Sequence, residues 1–479
     1  MYQNIINQSS NSALSPQPIE PPTRFSLWKD LFLLNDALLN VCIDAINFWK
    51  NKNEGEKEVI FFIYHIISKS YENDNGPNSR DALLNADLDS IKQSLYNLAI
   101  SGGTLDPLFP TAYLTVRYNK NLNKMVMSSD LTYKGKIFIY KKRGYIHDVT
   151  AHLVYENEQF EWQGASESPK HTYNPFELNK NKGALVGGYV VTKRPSGEIE
   201  SEFFEAKFLW DILSLSKSPK VISKWQSKML IKTMLNQSSK SWPYYQPQKI
   251  NSNSLGEQKK EDVNDDGLLA AHQCIDSSGQ SELTKNGLNY IVRSLLDDSY
   301  DVTSLLNTFL IKLDLDHKLN ALPAFSKLVV FLALSKYKLS LDNFSQEAFL
   351  SSQKFGALTL LNVSIMYKGM RSIAFNGVLK TTKVTPDKIE FKLVHKNDHF
   401  KFNGHDKKPD FSVNVTESRG AMIGGYVIVN RGDDSQCICI SREVLATVAS
   451  CAYSKTLQER WPRQYFEVKL LRQTFQEWI

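Results

Sequence analysis

The chain has 479 residues, 42% hydrophobic and 23% charged, with a formal net charge of +6. That is too long for a single hydrophobic core and sets an expectation of roughly two to four domains. No apolar run reaches the roughly 20 residues that cross a bilayer, so no membrane partner is expected. The opening MYQNIINQSSNSALSPQPIEPPT lacks the basic-then-apolar order of a secretory signal. Five scattered cysteines (Cys42, Cys274, Cys437, Cys439, Cys451) fit reduced thiols, so the expected location is cytoplasmic. Residues 1–24 read as disordered and residues 25–85 as a helical segment, with Leu31, Leu34, Leu38, Leu39 and Cys42 at three- and four-residue spacing. Asn73 to Asn78 is a turn cluster, and Asp87 caps a helix to about Ile100, ended by Gly102-Gly103.

A β-rich stretch follows within residues 86–243. Ala112 to Tyr118 and Lys136 to Tyr140 read as strands. Val149 to Tyr155 and Phe160 to Gln163 read as a hairpin, and Leu185 to Lys193 pairs with Ile199 to Phe204 around Pro195-Ser196-Gly197. Helices are expected from Ala206 to Ser214 and from Val221 to Gln237. Residues 244–267 read as a polar linker, 268–321 as a helical segment, and 322–479 as a second β-rich unit in which Val378 to Thr382 precedes Ile389 to Val394. The fold class expected is α+β, with antiparallel sheets flanked by helices.

The second unit repeats the first. Tyr133-Lys134-Gly135, Phe160, Gly164 and the run Gly183 to Val191 return in order as Tyr367-Lys368-Gly369, Phe400, Gly404 and Gly420 to Ile428. Leu105-Asp106 matches Leu341-Asp342 at an offset of 236, and the last helices align at 240, placing Trp225 on Tyr465 and Lys232 on Arg472. The chain therefore reads as a tandem pair of modules. Residues 111–240 hold 20 Lys+Arg against 12 Asp+Glu, and residues 346–479 hold 19 against 13, so the rest of the chain is net acidic. Positive charge gathered in the repeats suggests a polyanionic partner.

Catalytic motifs do not emerge. There is no phosphate-binding P-loop and no His-Glu-x-x-His helix, so neither ATP nor a catalytic metal is expected, and Mg2+ would serve only as a counterion. Asp262 to Gly267 resembles the start of a calcium loop, but Gln273 stands where a bidentate Glu is required, so it reads as a turn and helix cap. Cys437 and Cys439 share one strand face and read as core residues. No carboxylate set recurs in both copies, since Glu156 and Glu158 become Lys396 and Asp398.

The recurring candidates are cationic and aromatic. In the first copy they are Tyr133, Lys134, Lys136, Lys141, Lys142 and Arg143, then Lys224, Trp225, Lys228 and Lys232 on a helix at four-residue spacing. In the second they are Tyr367, Lys368, Arg371, Lys469 and Arg472. Lysines track phosphates without reading bases, and aromatics stack on bases of any sequence, which suits single-stranded DNA. A protein scaffold without DNA contact and a DNA-processing nuclease are the alternatives.

The first module resembles the RecT/Redβ family of single-strand annealing proteins. The features come in order: Leu105-Asp106-Pro107, Ala112-Tyr113-Leu114, Tyr133-Lys134-Gly135, Val154 to Trp162, Lys182 to Val191, and a helix carrying Ser218, Pro219, Trp225, Met229, Lys232 and Thr233, closed by Pro243. The resemblance implies an ATP-independent recombinase of a phage or mobile element. It would coat single-stranded DNA, hold annealed duplex, oligomerise into rings or filaments, and work beside an exonuclease and a single-strand-binding protein. It also implies that Lys134, Lys228 and Lys232 line the DNA groove. The second module departs from the family pattern: it has His395-Lys396-Asn397 in place of Tyr155-Glu156-Asn157 and lacks the Met-x-x-Lys-Thr signature.

Overall fold

The computed structural model describes residues 35–475, except 73–81, 178–180, 216–218, 243–301, 343–344, 378–384, 414–417, 451–458 and 461. The expected disordered start, the 244–267 linker, the calcium-like loop and the Val378 to Thr382 strand lie outside the described residues.

Three helices open the fold. α1 (Asp36–Ile46) is capped by the Asn35 side chain, and α2 (Lys52–Tyr71) by Asn51. α2 is buried over most of its length, with Val59, Ile60, Phe61, Phe62 and Ile63 almost fully enclosed. α3 (Leu88–Ser101) starts at Asp87 and stops at Gly102, whose φ of 75° needs a residue without Cβ. β1 (Ala112–Asn119) and β2 (Lys124–Leu131) then form an antiparallel hairpin on α3.

The stretch expected as a strand at Lys136 to Tyr140 is helix α4 (Tyr133–Lys142). Its apolar residues alternate like a strand, but Thr132 caps it by accepting from the Gly135 amide, and Gly135 sits where an added Cβ would lie 1.9 Å from the Thr111 carbonyl oxygen. A cap and a close approach override weak local preference. Next come β3 (Asp148–Tyr155), β4 (Gln159–Glu161), β5 (Lys170–Thr172), β6 (Leu185–Lys193) and β7 (Ile199–Glu205). The expected β3–β4 hairpin is not formed: β3 pairs with β6, β4 with β5, and β6 with β7 as anticipated. α5 (Ala206–Ser214), α6 (Pro219–Lys224) and α7 (Gln226–Ser238) follow, with Leu209, Leu213, Leu230, Met234 and Leu235 buried against Val190 and Phe204. Trp225 breaks the single helix expected there, with φ −125° and ψ 33°.

After α8 (Val302–Leu315) and the short α9 (His317–Asn320), the same order of elements recurs. It runs α10 (Ala324–Lys336), β8 (Ala348–Phe355), β9 (Leu358–Ile365), α11 (Tyr367–Phe375), β10 (Lys388–His395), β11 (His399–Lys401), β12 (Asp410–Ser412), β13 (Met422–Arg431), β14 (Asp434–Ser441), α12 (Arg442–Ser450) and α13 (Pro462–Thr474). The strands pair in the same way, down to a register shift at Val154/Tyr155 and at Val394/His395. Single hydrogen bonds recur as well. The Met127 amide donates to Ser90 Oγ and the Leu361 amide to Ser326 Oγ; the Ser201 amide donates to the Ala165 carbonyl and the Cys437 amide to that of His405. The architecture is α+β.

The two halves share one core. Residues of α1, α2, α3, α8, α10, the β8–β9 hairpin, β13 and α13 form a single buried cluster. Across this layer the fully buried Asp106 accepts from the Tyr337 hydroxyl at 2.8 Å and pairs with Lys336 at 3.0 Å, while Glu58 pairs with Lys336 at 3.3 Å. Burial opposes the charge on Lys336, but Asp106 and Glu58 hold its ammonium well above the ordinary value. Burial raises Glu58, with the Lys336 charge opposing. A second contact joins the three-stranded sheets. The Tyr173 hydroxyl lies 2.8 Å from His405 Nε2, the His152 and His405 rings are 4.3 Å apart, and Phe176 fills the space beside Gly424.

Candidate nucleic-acid interface

The Tyr-Lys-Gly element places a lysine at the start of a short helix. Gly135 lets α4 press on the Thr111 carbonyl, and Gly369 does the same for α11 at Glu347, where an added Cβ would lie 2.2 Å from the oxygen. Tyr133 packs against the module core while Lys134 is exposed, with its ammonium 5.9 Å from the Tyr133 ring centre. α4 also packs on α7, where Lys136 donates to Ser239 Oγ at 3.3 Å.

That packing sets Lys134 close to Lys228. Lys228 and Lys232 are exposed, whereas Leu230, Thr233 and Met234 turn to the core. Partial desolvation lowers the pKa of Lys228, and the positive charge of Lys134 lowers it further. Two ammonium groups held near each other by different helices form a site that gains from an anion between them. The Trp225 ring lies 4.9 Å from Lys228 Nζ. Lys224, also exposed, stands across the break on α6.

Other candidates are committed elsewhere. Lys136 is half-buried and its pKa is lowered by burial. Lys134 and Lys136 do not share a strand face, because the segment is helical. Lys141 is buried and ion-paired with Asp148. Arg143 donates to the carbonyls of Ile100 and Ser101 at 2.8 and 2.9 Å, tying α4 to the end of α3. Lys141 and Arg143 are thus internal braces, and Lys142 alone of that triplet is exposed.

The second half keeps only the first position of the stripe, where exposed Arg460 stands at the equivalent of Lys224. Gly188 is backed by Met234 and Gly425 by Leu470, so α7 and α13 superpose at an offset of 236, not 240. At that register Lys228 matches Gln464 and Lys232 matches Val468, while Lys469 and Arg472 fall opposite Thr233 and Asn236, on another flank. Lys368 and Arg371 are exposed on α11; Arg371 lies 5.7 Å from the Tyr367 ring, and Lys469 lies 5.1 Å from the Tyr465 ring.

Lys182 was overlooked as an individual candidate. Its ammonium lies 5.2 Å from the Tyr155 ring and 3.9 Å from Glu158. The only sequence signal was its place at the head of the Lys182 to Val191 run.

A family model described as the RecT family matches residues 72–265, about two-fifths of the chain, and so covers α3 through α7. No curated protein matches the chain.

Proposed function

We propose that the protein binds single-stranded DNA without sequence preference and anneals complementary strands during recombination, with no nucleotide fuel and no covalent step. The closeness of Lys134 and Lys228 within the segment that matches the RecT family supports this reading. Annealing requires two polyanions to approach with base edges exposed. Lysines that neutralise phosphate displace condensed counterions, and an aromatic such as Trp225 can stack on a base of any identity. Mg2+ enters only as a counterion. In this reading the protein assembles with further copies on DNA and works with an exonuclease and a single-strand-binding protein of a phage or mobile element. The second half is a diverged copy of the RecT-like module whose last helix no longer carries the basic stripe.

The test is annealing of labelled complementary oligonucleotides by purified protein without ATP, with gel-shift binding across a salt series. Wild-type protein should accelerate annealing, and Lys228→Glu with Lys232→Glu should abolish the shift while circular dichroism is unchanged. Intact binding by that variant would refute the stripe, and no binding by wild-type protein even at low salt would refute the function.

A further inference from the structure

The faces that meet at the joint between the sheets can be compared with their equivalents on the outer sides of the two halves. Beside Gly424 the ring that fills the space is Phe176, reaching across from the first half, with its nearest atom 2.4 Å from a built Cβ. Beside the equivalent Gly187 the ring is Phe203, at 2.7 Å, from the same half. Each ring sits on the matching aromatic, Phe176 on Phe400 at 4.7 Å and Phe203 on Phe160 at 5.6 Å. The cross-strand pairs Tyr189–Phe203 and Tyr426–Cys439 show why: the second half has a small Cys439 where the first has Phe203. The second half therefore holds an open socket, and in the first half the same socket is plugged from within.

The other joint contacts are equally one-sided. His405, which bonds Tyr173 and stacks on His152, matches Ala165; both residues follow a glycine of φ near +105° and accept the equivalent amide. On the donating side Tyr173 matches Val413, and His152 matches Lys392, since these face Tyr189 and Tyr426. Lys336, centre of the buried ion cluster, matches Ile100. Asp106 reaches across to Tyr337 and Lys336, whereas its equivalent Asp342 is bonded by its own Ser340 hydroxyl at 2.6 Å.

We infer that this joint forms once per chain and is not propagated between copies. Head-to-tail repetition of a heterologous contact gives open chains only when both outer faces carry the complementary surfaces. Here the outer receiving face is filled by Phe203 and lacks the histidine, and the outer donating face has lost both the tyrosine and the histidine. The chain is a terminated pair, and any association of copies uses other surfaces. This holds whether or not the DNA-binding reading is correct.

Cysteine cross-linking of the full-length chain tests it. Ala165→Cys with Val413→Cys places thiols at the two outer equivalents of the joint, and Tyr173→Cys with His405→Cys places them inside it. Each is treated with a short bis-maleimide at high protein concentration, with and without an oligonucleotide, beside the chain lacking the new cysteines. The inner pair should link within one chain, and the outer pair should give no ladder above background. A ladder of chain multiples from the outer pair, inter-chain links from the inner pair, or no link from the inner pair in a folded protein would each overturn the proposal.

Discussion

Lys228 Nζ donates to Gln473 Oε1 at 2.5 Å, joining the basic helix α7 to the last helix of the chain across 245 residues. Lys228, which feels the charge of Lys134, is thus positioned by the second half even though that half has Gln464 at the equivalent place. Gln473 should orient Lys228 without adding charge, so Gln473→Ala should weaken oligonucleotide binding several-fold at most. Titration by fluorescence anisotropy would check this.

Removing charge from the stripe should alter the salt dependence of binding as well as its strength. Lys228→Gln with Lys232→Gln should reduce the slope of log affinity against log salt by about 1.4, at roughly 0.7 per single-strand phosphate contact. Lys469→Gln with Arg472→Gln, on a different flank, should change the slope by less than half as much. Equal effects from the two pairs would restore the 240-residue alignment.

Gly135→Ala should destabilise the fold by about 2–3 kcal/mol, because its Cβ would press on the Thr111 carbonyl and the overpacking has no flexible neighbour to relieve it. Gly164→Ala should cost only about 1–2 kcal/mol, since its φ is +104° but nothing lies within 4 Å of the new atom. Urea unfolding of both variants gives the comparison.

The buried ion cluster should tolerate loss of a single partner poorly. Lys336→Met leaves Asp106 fully buried without its cation, a change of about 3–5 kcal/mol. Asp106→Asn should cost less, because an amide can still accept from the Tyr337 hydroxyl at the same oxygen. Denaturation midpoints of the two variants would rank them.

Acidification should loosen the molecule through its buried histidines. Burial pulls His65 down to about 4, with the Lys69 charge adding to the shift; burial also lowers His152 and His405, and the charges of His405 and His171 add to the effect in His152. A histidine whose folded pKa is depressed contributes stability that is fully present above its unfolded value near 6.5 and is lost as pH falls from there toward the folded value. His65 alone should account for about 2 kcal/mol between pH 7 and pH 5. Urea midpoints should therefore fall over that window, and His65→Gln should flatten the decline.

Much of this was legible in the sequence because it depends on local chemistry. The β6–β7 hairpin was marked by Pro195-Ser196-Gly197, α3 by Asp87 and Gly102, and the recurring order of elements by glycines that each half needs for close approach. The errors arose where distant parts decide. Lys136 to Tyr140 has a strand-like pattern, yet contact between Gly135 and Thr111 makes it helical. β3 looked ready to turn back on β4, but its partner is β6, some thirty residues further on. The alignment of the last helices slipped by four residues, about one helical turn, because basic residues recur at that spacing and only packing against Gly188 and Gly425 fixes the register. Lys141 and Arg143 looked available because charge is visible in a sequence and the acceptors that hold it are not.

The shared helical layer has a consequence for synthesis. α2 packs on α10 and on β8, so the amino-terminal helices leave the ribosome long before the surfaces that enclose them exist. At about 5–20 residues per second, the interval between the end of α2 and the end of β8 is roughly 15–60 seconds, during which α2, with its buried Phe61, Phe62 and Ile63, lacks the cover that α10 and β8 later provide. A nascent chain stalled within the first half would be expected to recruit a holdase chaperone, and to release it once translation has passed β8.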